Sequence, residues 1–320
     1  MINTYMPEGL IFGSAQNREL LSMGKPGVER AMSQGIIMEG TVLLCDSELN
    51  LHVDLNGMIG IIPKKEVCFC REGEEMKDIA IITRVGKAVC FKIMSLQEKN
   101  GKTVAYLSRR EAQKECLQCF INDLVPGDII KSRVTHLDTF GAFVDIGCGI
   151  ISLLSVDCIA VSRFSHPKDR LYNGMIIYTV VKFIDTEKNR IFVSMRELLG
   201  TWEENSRQFS PGQTVAGIIR SVENYGVFVE LAPNLAGLAE LREDIPSLSD
   251  RDLVGRMAAV YIKSIIPDRM KIKLVLIDSY KGELVSPSLR YFIDCDSVKH
   301  IDYWRYSPPG CNKIVETVFS

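Results

Sequence analysis

The segment TFGAFVD at residues 139–145 returns as NYGVFVE at residues 224–230. Each copy places an aromatic residue, a glycine, a small residue, a phenylalanine, a valine and an acid in that order. A degenerate third copy, LNLHVD at residues 49–54, keeps the valine and the acid but lacks both aromatic residues. The copies lie about 90 residues apart, which is the length of a small domain and not of a solenoid unit. The sequence therefore predicts a repeated small domain.

The same neighbouring segments accompany each copy. A glycine-led apolar run precedes it, and a second apolar segment and a pair of alternating runs follow it. The apolar runs begin at Gly35, Gly127 and Gly212, and the turns within the closing pairs lie at residues 99–101, 186–189 and 267–270. Apolar runs of this length bounded by turn residues are typical of β-strands. We therefore expect an all-β chain with five short strands in each of three units.

Two stretches between the units have the composition of short linker helices. The first begins at Ser108, which suits an N-cap because Glu111 follows three residues later, and the second covers residues 196–206.

These helices divide the chain at two points. The sequence predicts a lead segment at 1–34, a first repeat with its linker helix at 35–124, a second repeat with its linker helix at 125–208, and a third repeat at 209–320 with a C-terminal extension. We expect the lead to be irregular, with some helical character near residues 27–33. The extension is rich in aromatic residues, and we expect it to pack against the third repeat.

The closing strand of the second and third repeats alternates in character, which predicts one outward face. In the second repeat this face would carry Arg190, Phe192, Ser194 and Arg196. In the third repeat it would carry Arg269, Lys271 and Lys273. Such faces can contact phosphates, although any half-buried strand also has a polar outer side.

The two rings of each repeated segment would not be expected to point to the same face of a regular strand. Phe140 and Phe143 are separated by an odd number of positions, so ideal alternation would send them to opposite faces. Gly141 between them predicts a bulge or bend that turns both rings to one side, and Tyr225 and Phe228 repeat the arrangement. Rings exposed beside cations can stack unpaired bases while the cations meet phosphates. The alternative is that these rings are core residues.

Composition limits the possible functions. The 320 residues are 46% hydrophobic, which can supply several small cores, and the formal net charge is −2. That charge excludes a broadly basic coat, so contacts with nucleic acid must come from local basic faces. No apolar stretch approaches the ~18 residues of a bilayer span, and the first residues lack a signal-peptide layout. We expect a cytoplasmic protein without a membrane partner.

The ten cysteines predict reduced thiols and not a metal site. Cys116 and Cys119 form the one CxxC pair, and a structural zinc site commonly needs two such pairs. A metal site remains the alternative. Phosphate-binding, zinc-protease and nucleophile-elbow motifs are missing from the sequence, so we expect no enzyme, no cofactor and no small-molecule substrate.

The repeated units, the GAFVD motif and the closure from Asp185 to Arg190 resemble the RNA-binding repeats of ribosomal protein S1, an OB-fold family. The resemblance covers residues 35–282 and is strongest in the second and third repeats. It implies three consecutive five-stranded OB-fold barrels joined by short linker helices. It also implies an RNA face made of two strand-two rings, a strand-three histidine, and an acid and a cation near the last strand. By position, this assigns Phe140, Phe143, Asp185 and Arg190 in the second repeat, and Tyr225, Phe228, Asp268 and Lys271 in the third.

The chain departs from the family pattern in two ways. Pro63, Ser155 and Glu240 stand where the family has its histidine, and Leu49 and His52 stand where the first repeat should have rings. We therefore expect the first repeat to be a structural or protein-binding copy. The predicted function is non-catalytic binding of single-stranded RNA or mRNA in the translation or RNA-handling apparatus, with the ribosome as a candidate partner. The alternative is an OB-fold protein-interaction scaffold or regulator with little affinity for nucleic acid.

Overall fold

β-Strands dominate the computed structural model, which describes residues 5–70, 76–99, 101–240, 253–282 and 289–319. The strands are β1 (Met38–Cys45), β2 (Leu51–Asp54), β3 (Ile59–Ile62), β4 (Ala88–Lys99), β5 (Lys102–Ser108), β6 (Ile129–Asp138), β7 (Gly141–Asp145), β8 (Ile151–Ser155), β9 (Ile176–Asp185), β10 (Arg190–Ser194), β11 (Thr214–Glu223), β12 (Gly226–Ala232), β13 (Leu235–Glu240), β14 (Met257–Ile266), β15 (Lys271–Tyr280), β16 (Tyr303–Arg305) and β17 (Glu316–Val318). The α-helices are α1 (Ala15–Ser22), α2 (Lys25–Gln34), α3 (Asp78–Ile82), α4 (Arg109–Asp123), α5 (Val156–Ile159) and α6 (Trp202–Ser206). Asn100, in the first predicted turn, lies outside the described residues.

The described strands form two closed barrels with a nearly closed one between them. The first barrel has the order β1-β2-β3-β5-β4 and the third has β11-β12-β13-β15-β14. The second, β10-β9-β6-β7-β8, follows the same order but is open between β8 and β10. Ser152 Oγ bridges this opening by donating a hydrogen bond to the Ile191 carbonyl oxygen at 2.6 Å. The prediction of a mostly β chain built from five-stranded barrels is confirmed.

The three barrels bend at equivalent places. In each, the first strand carries one extra residue opposite the second strand, and the fourth strand carries one extra residue opposite the fifth. The extra residues are Leu43, Thr135 and Arg220 on the first strands and Met94, Lys182 and Lys263 on the fourth strands. Such bulges increase local twist and bend, which a short sheet needs in order to close.

The described part of the lead contains two helices, α1 and α2. The predicted helical character near residues 27–33 is confirmed by α2, while the prediction that the rest of the lead is irregular is wrong at α1. Ser14 caps α1, its Oγ accepting a hydrogen bond from the Asn17 backbone N–H at 3.2 Å. α1 and α2 cross closely at Gly27, where a Cβ would lie 2.0 Å from the Leu20 carbonyl oxygen. Their buried apolar side chains join the core of the first barrel; these are Leu20, Leu21, Val28 and Ala31.

Helix α4 confirms the predicted start at Ser108, whose Oγ accepts a hydrogen bond from the Glu111 N–H at 2.9 Å. Cys116 and Phe120 are buried on its inner face and pack in the core of the second barrel. The sequence assigned this linker helix to the first repeat. In the structure it also packs in the core of the second barrel. Within the described residues, no helix is long and apolar enough to cross a bilayer.

The C-terminal extension packs on two barrels. Trp304 and Tyr306 join the core of the third barrel, as the sequence predicted. Tyr291 and Phe319 instead pack against β6, β9 and Leu198 of the second barrel, so the prediction of packing against the third repeat alone is incomplete. Residues 283–288 of this extension lie outside the described residues.

The acid that ends the second strand of the second barrel is buried against the lead. Asp145 Oδ2 accepts a hydrogen bond from the Glu8 N–H at 2.7 Å, and the Glu8 carboxylate pairs with Arg109 at 2.6 Å. Burial and the neighbouring Glu8 carboxylate raise the pKa of Asp145 to about 7. Burial also acts to raise the pKa of Glu8, but Arg109 and Arg84 outweigh it and hold that pKa below its usual value. This network ties the lead and the first barrel to the second.

The corresponding acid of the third barrel, Glu230, is buried against the second barrel. Its carboxylate accepts hydrogen bonds from Arg170 Nη2 at 2.7 Å and from Arg220 Nε at 2.6 Å. Arg220 also pairs with Asp169 at 3.1 Å. The acids shared by the two repeated segments are therefore interface residues, and the repeated rings are left as the candidates for ligand contact.

Candidate RNA-binding surface

The repeated rings of the second barrel lie outside its buried core. Phe140 sits in the turn before β7 and is 50% exposed, while Phe143 is half-buried on the outer face of the strand. Their ring centroids are 5.8 Å apart with the planes at 89°, an edge-to-face contact. Because Phe140 is the more exposed of the two, this contact leaves one face of the Phe140 ring open to a ligand.

Gly141 brings the two rings together, but not through the bulge that the sequence predicted. β6 and β7 pair regularly at Gly141, and the bulge lies on the facing strand at Thr135. Because Phe140 precedes the strand, strand alternation does not govern its direction. A Cβ at Gly141 would lie 2.4 Å from the Leu154 carbonyl oxygen, so the position requires glycine.

The third barrel repeats this geometry. Tyr225 precedes β12 and is 63% exposed, and Phe228 is half-buried beside it. The ring centroids are 6.2 Å apart at 88°. A Cβ at Gly226 would lie 2.6 Å from the Ala239 carbonyl oxygen, so the same close approach selects glycine here.

Further aromatic residues continue the surface of the second barrel in both directions. His136 on β6 lies opposite Phe143, with ring centroids 6.1 Å apart and planes at 28°. On the far side, Phe192 of β10 lies opposite Phe183 of β9, with centroids 6.2 Å apart at 29°. Leu153 of β8 pairs with Phe143 and stands on the strand between Phe143 and β10. We call this row, His136, Phe143, Leu153, Phe192 and Phe183, the aromatic strip.

Sequence reasoning identified Phe143 and Phe192 but missed His136 and Phe183. Both missed residues follow a bulge, at Thr135 and at Lys182, which shifts the alternation of inward and outward side chains by one. Pairing β9 with β10 across the predicted turn would have placed Phe183 opposite Phe192. His136 also places an imidazole on the strip, although Ser155 replaces the strand-three histidine of the family pattern.

The charged residues predicted for the second barrel have different environments. Arg190 is exposed at the start of β10, paired in register with Asp185. Asp185 Oδ1 accepts a hydrogen bond from the Lys188 N–H at 2.9 Å, so this acid shapes the turn.

The sequence placed Ser194 and Arg196 on the outward face of the closing strand, and this prediction is wrong for both. Ser194 is buried, its Oγ donating to the Cys158 carbonyl oxygen at 3.2 Å. Arg196 lies in a short 3-10 helix, where its Nη2 donates to Thr317 Oγ1 at 3.1 Å.

The basic face of the third barrel is confirmed in part. Lys271 and Lys273 are exposed on β15 while Ile272 between them is buried. Asp268 and Arg269 are exposed but lie in the 3-10 turn Pro267–Arg269 before the strand, so Arg269 is not part of the strand face. Lys273 occupies the place that Phe192 holds in the second barrel, next to Leu238 and opposite Ser264.

The first barrel has a different outer face. His52 stands at the position of Phe143, opposite Leu44 and Ile61, and its Nε2 lies 3.2 Å from Asp46 Oδ2. Leu44 is 47% exposed. Tyr106 continues the row next to Ile61. The face is apolar with one histidine and one tyrosine, and it lacks the ring pair of the other barrels.

The cysteines are reduced, and three of them are buried together. Cys90, Cys116 and Cys148 meet where the first barrel, α4 and the second barrel join. Burial raises the pKa values of Cys90 and Cys116, and the hydrogen bond with Cys116 raises the pKa of Cys148. Across the described part of the chain, no group of three or more His, Cys, Asp or Glu side chains is placed to hold a metal ion.

Known proteins share sequence with this chain. Residues 124–196 match the S1 RNA binding domain family. Small ribosomal subunit protein bS1 of Leuconostoc lactis is 28% identical over 198 residues, covering 60% of this chain and 44% of that protein. The bS1 protein of Rhodopseudomonas palustris is 30% identical over 196 residues, covering 60% of this chain and 33% of that protein.

Among solved structures, a multidomain protein with nucleic acid binding domains from Streptococcus pneumoniae aligns with 76% of this chain and 74% of its own. The identity is 17% and the TM-score 0.23, too low to support a structural argument. The matched regions span less than half the length of either bS1 relative. The chain is similar to bacterial bS1 proteins over part of its length, and residues 124–196, which contain the whole of the second barrel, match the S1 RNA binding domain family.

Proposed function

We propose that this protein binds single-stranded RNA or mRNA without catalysis, as a cytoplasmic component of the translation or RNA-handling apparatus. The observation that carries the proposal is the exposed edge-to-face pair of Phe140 and Phe143, within the segment that matches the S1 RNA binding domain family. The ribosome is a candidate partner because the relatives are ribosomal proteins.

Binding would combine stacking with local charge. Unpaired bases would stack on Phe140, Phe143, Tyr225 and Phe228, and phosphates would meet the exposed cations Arg190, Lys271 and Lys273. Since the net charge is −2, no long-range basic field adds to these contacts. The affinity should therefore be modest and should fall as salt rises, by about 0.7 in logarithmic slope for each phosphate neutralised.

We further propose that the three barrels are three S1-type repeats, divided at residues 35–124, 125–208 and 209–320. Their common strand order and their equivalent bulges support this division. The lead at 1–34 would fold with the first repeat, because its helices contribute to that core. The C-terminal extension would hold the second and third repeats together.

Filter binding with single-stranded RNA of about 16 nucleotides, the upper end of OB-fold site sizes, tests the proposal. We expect saturable binding at low salt that weakens as salt rises, and weaker binding by Phe140→Ala. A correctly folded chain that fails to bind at low salt would contradict it.

A protein-interaction scaffold is the second candidate, and the first barrel favours it. Leu43, Leu44 and Met94 are each about half exposed on this barrel, where the second barrel has Thr135, His136 and Lys182. Such a surface suits an apolar partner better than a phosphate backbone. The same filter-binding assay separates the two functions, since a scaffold of this kind would show no salt-sensitive affinity for RNA.

A further inference from the structure

We infer that Phe183 and Phe192 of the second barrel form a second base-stacking subsite, which takes another unpaired base of the RNA strand held at Phe140 and Phe143. The inference rests on the proposed function and extends it to a place outside the repeated segment. Phe192 was predicted as a single outward ring, and Phe183 turns it into a pair.

The backbone directs Phe183 outward. Lys182 is the extra residue of a bulge, so Val181 before it is buried while Phe183 after it opposes Phe192. Ile184, the next residue, turns inward and packs against the core. Phe183 is 55% exposed, and its ring lies nearly parallel to that of Phe192. One face of the pair is therefore open to a planar ligand.

The subsite is separate from the first ring pair. Phe143 and Phe192 lie on β7 and β10, and β8 with Leu153 lies between them. Paired strands are about 4.8 Å apart, and the unpaired step from β8 to β10 is at least as wide, so the two rings are roughly 10 Å or more apart. Aromatic rings stack at centroid distances of about 4.5–7 Å, so a base on Phe143 cannot also stack on Phe192. Two bases are needed to fill the strip.

The charge beside the pair suits a nucleic acid strand. Arg190 stands two residues before Phe192 on the same face of β10 and is exposed. A cation next to a stacking platform is the arrangement that tracks the backbone of single-stranded nucleic acids.

The fold does not require these two rings. At the equivalent places the third barrel has Ser264 and Lys273, and the first barrel has Ser95 and Tyr106. Both of those barrels close without a ring pair at this site. Apart from its contact with Phe192, Phe183 is thus an exposed aromatic residue that the closure of a barrel does not require.

Fluorescence anisotropy with the full chain and single-stranded RNA of about 16 nucleotides tests the subsite. Phe183→Ala should weaken binding about fivefold or more, the loss expected for one stacked base. Phe183→Leu should weaken it to a similar degree, because leucine keeps the apolar surface but not the ring, and Phe183→Tyr should bind like the unchanged chain. Tyr172→Ala is the matched control. Tyr172 is about as exposed as Phe183, but it lies before the start of β9, whereas Phe183 lies near the end of that strand.

The outcomes separate this inference from the proposed function. If Phe140→Ala weakens binding while Phe183→Ala does not, the subsite is refuted and RNA binding stands. If Phe183→Leu binds as tightly as the unchanged chain, the contact is not stacking and the subsite is refuted as well. If the unchanged chain does not bind, the proposed function fails and the inference fails with it. Equal thermal melting of the variants shows that the fold is kept.

Discussion

The first and second barrels share a strand order and a pattern of bulges, yet their outer faces differ. Where the second barrel has Phe143, the first has His52, and where Phe140 precedes β7, Leu49 precedes β2. Their cores are both built from buried apolar residues. The comparison shows that the barrel depends on inward residues and bulges, while the outward positions are free to change function.

The largest expected effect is the response of the first barrel to pH. Burial raises the pKa of Glu39 on β1 to about 7 from the usual 4.5, while the second barrel has Lys131 at this place and carries its own acid of raised pKa, Asp145, at the end of β7. The folded state therefore binds more protons than the unfolded state between those values, so stability falls as pH rises through that range. The loss is about 3 kcal/mol at most.

Hydrogen exchange of peptides from β1 and β4 measures this loss in the first barrel, and peptides from β6 and β9 report the second barrel separately. Glu39→Gln should lower the pH dependence of the first barrel between about pH 4.5 and 7, because the amide does not titrate. An unchanged pH dependence in this variant would mean that another group controls the first barrel.

The next largest effect is on the affinity for single-stranded RNA. Phe143→Ala should weaken the binding of single-stranded RNA about tenfold or more, because stacking contributes about 1–3 kcal/mol per base. The variant should keep its fold, since the ring lies outside the core. Leu49→Ala in the first barrel is the control and should leave affinity nearly unchanged in a filter-binding titration. If Phe143→Ala melts the second barrel while affinity per folded molecule stays constant, the ring is structural.

A smaller loss is expected from the third barrel. Phe228→Ala should weaken RNA binding about fivefold, because Phe228 and Tyr225 stack without the additional rings of the aromatic strip. Equilibrium titration of the single variants and of Phe143→Ala with Phe228→Ala checks this. A loss in the double variant no greater than in Phe143→Ala alone would show that the third barrel does not take part.

The smallest effect is on salt dependence. Arg190→Ala and Lys271→Ala should each lower the logarithmic salt slope by about 0.7, since one phosphate contact and its released counterions are lost. Lys64→Ala in the first barrel should leave the slope unchanged. Titrations at several salt concentrations measure it, and equal slopes for all three variants would argue against phosphate contacts at the two proposed cations.

Much of the fold could be predicted from local sequence. The five strands per unit, the cap at Ser108 and the alternation of Lys271 and Lys273 are short-range patterns, and all are present. Helix α1 of the lead escaped prediction because few apolar residues mark it and its burial depends on contacts with the first barrel.

The candidate surface was predictable only where strands are regular. His136 and Phe183 follow bulges, and a single extra residue reverses which side chains face outward. The interface roles of Asp145 and Glu230 could not be predicted because their partners, Glu8 and Arg170, are distant in the sequence.

Ultraviolet crosslinking of the full chain to single-stranded RNA, followed by mass spectrometry of the joined peptides, compares the barrels most directly. Crosslinks should lie at Phe140, Phe143 and Phe183 in the second barrel and at Tyr225 and Phe228 in the third, with the first barrel free of them. Crosslinks concentrated on the first barrel, around His52 and Tyr106, would contradict the assignment of RNA binding to the outer faces of the second and third barrels.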